Sequence, residues 1–182
     1  MSSIIEIRNV GKSFGGVVAN HDISLDVADG RITGLIGPNG SGKTTLFNSV
    51  VGHHPIDSGS IKFEGNEISS FRVQKIARLG LLRTFQQTRI YSKMNCVQNM
   101  LISIPHRNAG LLDMLREHPP ETTEHALELL EFVGLYSKRN LIAGDLSFGQ
   151  QKLLEFAMAL MNKPKVLLLD EPTAGINPTL IN

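Results

Sequence analysis

Two segments near the start of the chain, "IIEIRNV" at 4–10 and "ISLDVAD" at 23–29, alternate apolar and polar side chains with period two, which predicts half-buried strands. "GSIKFEGNEI" at 59–68 continues that pattern across a turn at Gly65-Asn66 and predicts a hairpin. Together these stretches form a small antiparallel unit. "RITGLIGPNG" at 31–40 differs, because a short apolar run ends in a glycine-rich loop, and "KTTLFNSVVG" at 43–52 then reads as a helix closed by Gly52. The order is strand, loop, helix. "LLRTFQQ" at 81–87 predicts another short strand. From about Met94 to Glu155 the period becomes helical, with Ala126, Leu129, Leu130 and Val133 on one face and Gly134 as a stop, after a break at His118-Pro119-Pro120. "PKVLLLDEP" at 164–172 is a continuous apolar run between prolines, the pattern of a strand buried on both faces of a parallel sheet. No internal repeat or low-complexity tract interrupts the series. The pattern predicts an α/β core whose middle carries a helical insertion.

Composition narrows this without changing it. The 182 residues suffice for one sizeable domain or two small ones, and 41% hydrophobic content is ordinary for a globular fold. With 18 basic against 17 acidic residues, no global charge attracts nucleic acid or an acidic membrane, so any anion site must be local. Cys96 is the only cysteine; an intramolecular disulfide is impossible, and the expected setting is reducing, with a buried inert thiol. The opening "MSSIIEIRNV" lacks the basic and apolar regions of a signal peptide, and "VLLL" and "LGLL" are far shorter than the ~20 residues of a membrane span.

The loop at 37–44 carries the most specific chemistry. Gly37, Pro38, Asn39, Gly40, Ser41, Gly42, Lys43 and Thr44 match G-x-x-x-x-G-K-[ST] in the strand-to-helix context that the motif requires, with Thr45 directly behind. Glycines let successive backbone N–H groups turn into one concavity, and the helix N-terminus adds partial positive charge, so polyphosphate fits. Lys43 reaches the β and γ phosphates, and the Thr44 hydroxyl serves Mg²⁺. Asp170 and Glu171 stand where "VLLL" leaves the sheet at its C-terminal end, the edge at which open α/β sheets bind ligands. Asp170 is expected to hold Mg²⁺ through water and Glu171 to orient or deprotonate the attacking water. A nucleotide polyphosphate and Mg²⁺ are therefore the expected ligands.

"GDLSFGQQK" at 144–152 puts Ser147 and Gly149 at a helix entrance, where they either cap the helix or grip an anion. Leu146-Ser147-Phe148-Gly149-Gln150 resembles the LSGGQ signature of ABC-type ATPases, with Phe148 where glycine is usual. The resemblance runs in order through the phosphate loop, Gln86, the signature, Asp170-Glu171 and "AGIN", and it implies a P-loop NTPase (RecA-like) α/β core with an N-terminal antiparallel β subdomain and an inserted helical subdomain. It implies one ABC-type domain over 1–182: an antiparallel β part at 1–30 and 58–70, a nucleotide-binding core at 31–57, 71–87 and 156–182, and a helical insertion at 88–155. It further implies that Ser147, Gly149 and Gln150 grip the γ-phosphate of ATP held by a second ATP-binding subunit, and that Phe14 stacks on adenine, with a core position for Phe14 as the alternative. Gln86 would touch Mg²⁺ or the attacking water, with Gln87 a neighbour lacking that role. Asn177 stands where the family's D-loop usually has aspartate.

The family's switch histidine, expected about 30 residues beyond the catalytic glutamate, has no counterpart before Asn182, which implies an ATP-binding subunit that is short at its C-terminus. His53, His54 and His125 are expected to be surface or packing residues. "FGGVVA", "GPNGSGKTTLFN", "RTFQQTRIY" and "LSFGQQKLLEFAMAL" most resemble the ATP-binding subunits of branched-chain amino acid importers. These imply transmembrane permease partners, no nucleic acid, and a peripheral position on the cytoplasmic face of the inner membrane. "TRIYSKMNCVQNM" is the expected permease contact, with core packing as its alternative. A urea or short-chain amide importer, or a soluble non-transport ABC ATPase, is the alternative function. Against a DNA-repair ATPase stands the lack of a long heptad region between phosphate loop and signature.

Overall fold

The computed structural model of the chain describes residues 2–84, 90–104 and 119–170. The backbone divides into two compact units, 1–81 and 82–182.

The first unit is built on a four-stranded sheet in the order β2-β1-β3-β4, in which β1 (Ser3–Phe14) pairs antiparallel with both β2 (Val17–Ala28) and β3 (Ser58–Phe63). Ile5 and Ile7 face the core on odd positions, whereas Val10 and Lys12 face it on even ones. Asn9 causes the change. Its φ of 50° inserts a bulge that slips the register from Ile7↔Leu25 to Val10↔Ile23, and a one-residue slip exchanges the two faces of a strand. Lys12 is turned inward as a result. β3 turns into β4 (Asn66–Glu67) through Glu64 and Gly65, with φ 48° and 74°, and Phe63 pairs with Asn66. The two-residue turn is thus Glu64-Gly65, one position before the expected Gly65-Asn66, because the primed hairpin turn needs positive φ at both central residues and Asn66 is already in the ladder.

Helix α1 (Lys43–Val50) starts where the glycine-rich loop ends, and Gly52, at φ 76°, follows its last turn as predicted. Leu46, Val50 and Val51 join Ile5, Ile7, Val10, Ile61, Phe63, Ile68 and Ile76 in the core of this unit. Ile76 comes from α2 (Val73–Leu79), which closes at Gly80. The run "RITGLIG" does not form the expected strand. Ile32 and Ile36 are 104% and 95% exposed, and no described segment pairs with them. An apolar run supplies side chains for a sheet face, but a strand exists only by its ladder.

β5 (Leu81–Arg83), which leads into the second unit, pairs with β6 (Val166–Leu168), and the Thr84 N–H donates to the Leu168 carbonyl at 3.0 Å. β6 is half-buried rather than covered on both faces, since the sheet formed by the described residues has only these two strands. Three helices, α3 (Cys96–Ile102), α4 (Pro120–Phe132) and α5 (Phe148–Leu160), pack around Cys96, Met100, Ala126, Leu130, Leu135, Leu154, Ala157 and Met158. Pro120 sits at the first helical position of α4, where its missing N–H costs no bond, and Gly134 ends the run at φ 73°. Ala126 and Leu130 are the buried face of α4, as its period predicted, with Leu129 and Val133 beside them.

Candidate functional site

The first unit carries the phosphate loop. Gly42, at φ 87°, takes the N-cap position of α1; no side chain caps the helix, and its first turn holds no acidic residue. An entrance of this kind leaves its own amide groups and dipole to an external anion. Two of its glycines have close neighbours. A Cβ on Gly37 would stand 2.9 Å from Ser41 Oγ, and one on Gly42 would stand 2.6 Å from Asn20 Nδ2 and overlap the Ala19 carbonyl oxygen. The Ser41 N–H closes the turn onto the Pro38 carbonyl at 3.2 Å. Lys43 Nζ donates to the carbonyls of Gly37 at 2.7 Å and Pro38 at 2.8 Å, which fixes its positive charge over the loop. The donor set and the tight glycines at 37 and 42 fit a polyphosphate. Thr44 and Thr45 follow in the first helical turn.

Asn20, buried in β2, donates through Nδ2 to the Gly42 carbonyl at 3.1 Å and ties the sheet to the helix entrance. The sequence gives no sign of this role, since a single asparagine in an alternating strand belongs to no motif. At the end of β1, Phe14 is 43% exposed.

The second unit carries Asp170 and the signature. Asp170 is buried, and its Oδ2 accepts from Arg83 Nη2 at 2.6 Å. The Arg83 partner was not anticipated; "LLR" next to a glutamine reads as a strand end, and nothing in the spacing links it to a carboxylate 87 residues on. Ser147 is the N-cap of α5. Its hydroxyl accepts from the Gln150 N–H at 3.4 Å while Gln150 Oε1 accepts from the Ser147 N–H at 3.1 Å, a reciprocal capping box. Ser147 thus caps the helix. Gly149 has open space around it, so nothing among the described residues demands glycine there. Gln151 Nε2 donates to the carbonyls of Leu146 at 3.1 Å and Ala143 at 3.4 Å, bracing the segment that leads into the cap.

Part of "TRIYSKMNCVQNM" follows the core-packing alternative. Tyr91 is exposed, whereas Cys96 and Met100 are core. Buried Asn99 holds the loop before α3: its Oδ1 accepts from the Tyr91 N–H at 2.7 Å, and its Nδ2 donates to the carbonyls of Tyr91, Met94 and Asn95 at 3.1, 3.3 and 2.9 Å. Cys96 is a buried thiol whose pKa burial pushes up, in keeping with an inert packing role. Gln86, Gln87, Glu171, Gly175, Ile176 and Asn177 lie outside the described residues. Among the described residues no helix is long and apolar enough to cross a membrane.

A glycine-built loop opening an uncapped helix, on a mixed α/β chain, defines a phosphate-loop nucleotide-binding protein. The family model described as "ABC transporter" matches residues 20–174, and the chain belongs to that family, as an ATP-binding and ATP-hydrolysing subunit. The high-affinity branched-chain amino acid transport ATP-binding protein BraF of Pseudomonas aeruginosa is 40% identical over 96% of this chain and 71% of its own length. The probable branched-chain amino acid transport ATP-binding protein LivG of Archaeoglobus fulgidus is 41% identical over 97% of this chain and 70% of its own. Among solved structures, an ATP-binding cassette of an ABC transporter in its ADP conformation superposes with a TM-score of 0.87 at 35% identity, covering 100% of this chain and 73% of that one. A nucleotide-free cassette gives 0.85 at 34% identity, over 99% and 73%. The chain thus spans about seven tenths of the length of these relatives.

Proposed function

We propose that this chain binds and hydrolyses ATP to power the import of branched-chain amino acids through a membrane permease. The observation that carries the reading is the uncapped entrance of α1, where Gly37 and Gly42 leave no room for a Cβ and Lys43 holds its charge over the loop. The solute follows from the relatives, which are branched-chain amino acid transport ATP-binding proteins.

In this reading residues 37–45 cradle the phosphates, and Phe14 stacks on adenine. Thr44, Asp170 and Gln86 hold Mg²⁺, which would offset phosphate charge when bound, and Glu171 activates the attacking water. The Arg83 contact is compatible with the metal role, because Mg²⁺ keeps most of its waters and needs only an outer carboxylate contact. Ser147, Gly149 and Gln150 serve the nucleotide of a second ATP-binding subunit: the capped α5 entrance offers a hydroxyl and a helix dipole, and the open space at Gly149 lets another chain approach closely. Residues 1–30 and 58–70 are the antiparallel β part, 31–57, 71–87 and 156–182 the nucleotide-binding core, and 88–155 the helical insertion. Tyr91, presented on the loop that Asn99 clamps, faces the permease at the cytoplasmic side of the membrane.

The deciding experiment is co-purification with the neighbouring membrane subunits, followed by ATPase assay in liposomes. The reading expects hydrolysis stimulated by leucine, isoleucine or valine. Stimulation by urea or short amides instead would reassign the solute, and failure to associate with any permease would favour a soluble ATPase.

A further inference from the structure

Phe14 stands on a hairpin end that is braced by the segment following α1. The imidazole of His54 meets its ring in a T-shaped contact, with centroids 5.3 Å apart and planes at 78°. Lys12 Nζ lies 5.2 Å from the same ring centroid. Lys12 is in turn held by Asp57: Nζ donates to Oδ1 at 2.7 Å, and the Ser13 N–H donates to Oδ2 at 2.7 Å. The Asp57 N–H closes the arrangement by donating to the Gly11 carbonyl at 2.8 Å. The bulge at Asn9 makes this possible, because it turns Lys12 from the outer face to the inner one.

The other end of the brace is the phosphate-loop helix. The Gly52 N–H donates to the Ser49 carbonyl at 3.1 Å, and those of His53 and His54 donate to the Asn48 carbonyl at 2.8 and 3.4 Å. Residues 52–57 therefore run from the last turn of α1 to the base of the hairpin, with hydrogen bonds at both ends. One covalently short, bonded strap joins the helix whose entrance takes phosphate to the aromatic ring of Phe14. A nucleotide has a fixed span between base and phosphates, and a platform held at a set place loses less entropy on binding than a mobile one.

We infer that His54 and Asp57 are positioning residues for the nucleotide base, holding the Phe14 platform against the helix that carries the phosphate loop. This rests on the reading of Phe14 as the adenine-stacking residue. Neither residue touches phosphate in this account, which gives the inference a distinctive signature: the base contribution weakens and the phosphate contribution stays.

The test compares ATP with tripolyphosphate, which has no base, by calorimetric titration of the whole chain and of Phe14→Ala, His54→Ala, His54→Phe and Asp57→Asn. Phe14→Ala should weaken ATP about tenfold or more, the range for removing an aromatic under a base. His54→Ala and Asp57→Asn should each weaken ATP about two- to tenfold, the equivalent of one aromatic pair. All should bind tripolyphosphate as the unaltered chain does, and His54→Phe, which keeps the ring contact, should restore ATP affinity. Unchanged ATP binding in His54→Ala and Asp57→Asn, with Phe14→Ala impaired, would overturn the brace while leaving the stacking reading intact. An unimpaired Phe14→Ala would overturn both. Equal weakening of ATP and tripolyphosphate, with a lowered melting temperature, would assign the two residues to stability alone and overturn the inference.

Discussion

Arg83 and Asp170 form an ion pair at 2.6 Å, each side chain about 8% exposed, that joins the end of β5 to the residue just beyond β6. Two charges removed from water tolerate each other's presence far better than either tolerates the other's loss. Arg83→Met should therefore destabilise the chain by about 3–5 kcal/mol, the cost of leaving a buried carboxylate without its partner. Combining it with Asp170→Asn should recover part of that loss. Urea denaturation of the two single variants and the double variant measures both effects, and additive losses would mean that the two side chains do not interact.

Ser147 can be separated into a folding role and a binding role. Ser147→Ala removes the hydroxyl that accepts the Gln150 N–H, and should cost about 0.5–2 kcal/mol of stability, as for other lost N-caps. Ser147→Arg adds a bulky charge at the same entrance. If two ATP-binding subunits pair as proposed, it should leave ATP binding to the single chain intact and block ATP-dependent dimerisation, read by light scattering. Equal loss of both would place Ser147 in its own chain's nucleotide site.

Gly42→Ala tests the backbone of the phosphate loop. The residue lies at φ 87°, and the new Cβ would overlap the Ala19 carbonyl and sit 2.6 Å from Asn20 Nδ2. Strain of about 1–3 kcal/mol is expected from the conformation alone. Thermal melting should fall and ATP affinity with it, since relief requires the loop to leave the shape that faces the anion.

Acid should loosen the hairpin end through Asp57. Its carboxyl is held below the usual carboxylate range, first by the hydrogen bond from Lys12 and then by the Ser13 N–H. A depressed folded value means that the contribution is complete above the unfolded value of ~3.9 and is lost as pH falls through the folded value below it. Asp57→Asn should remove the part of the stability profile that falls within that window. A variant profile parallel to the original one down to the acid limit would show that the pair contributes nothing.

Local features of the chain were legible where one residue type can do only one thing. Gly42 and Gly52 take positive φ at the ends of α1, Pro120 opens α4, and the alternation of Ile5 and Ile7 sets the face of β1. Long-range pairings were not legible. The Asn9 bulge inverts the alternation halfway along β1 and turns Lys12 inward, and nothing in the period of 4–10 signals it. Arg83 finds Asp170, and Asn20 finds Gly42, across separations at which no period or motif operates. "RITGLIG" shows the reverse: its side chains signal a strand, but strand formation depends on neighbours that its own sequence does not contain.

The proposed function turns on the loop at 37–44 holding a nucleotide polyphosphate, with Lys43 supplying the charge. Calorimetric titration of ATP with Mg²⁺ into the chain and into Lys43→Ala tests it most directly. Saturable binding at one ATP per chain is predicted. In Lys43→Ala the affinity should fall by about 10- to 100-fold, the equivalent of the 1.5–3 kcal/mol of a hydrogen bond to a charged group. Equal affinity in the two proteins would contradict the account.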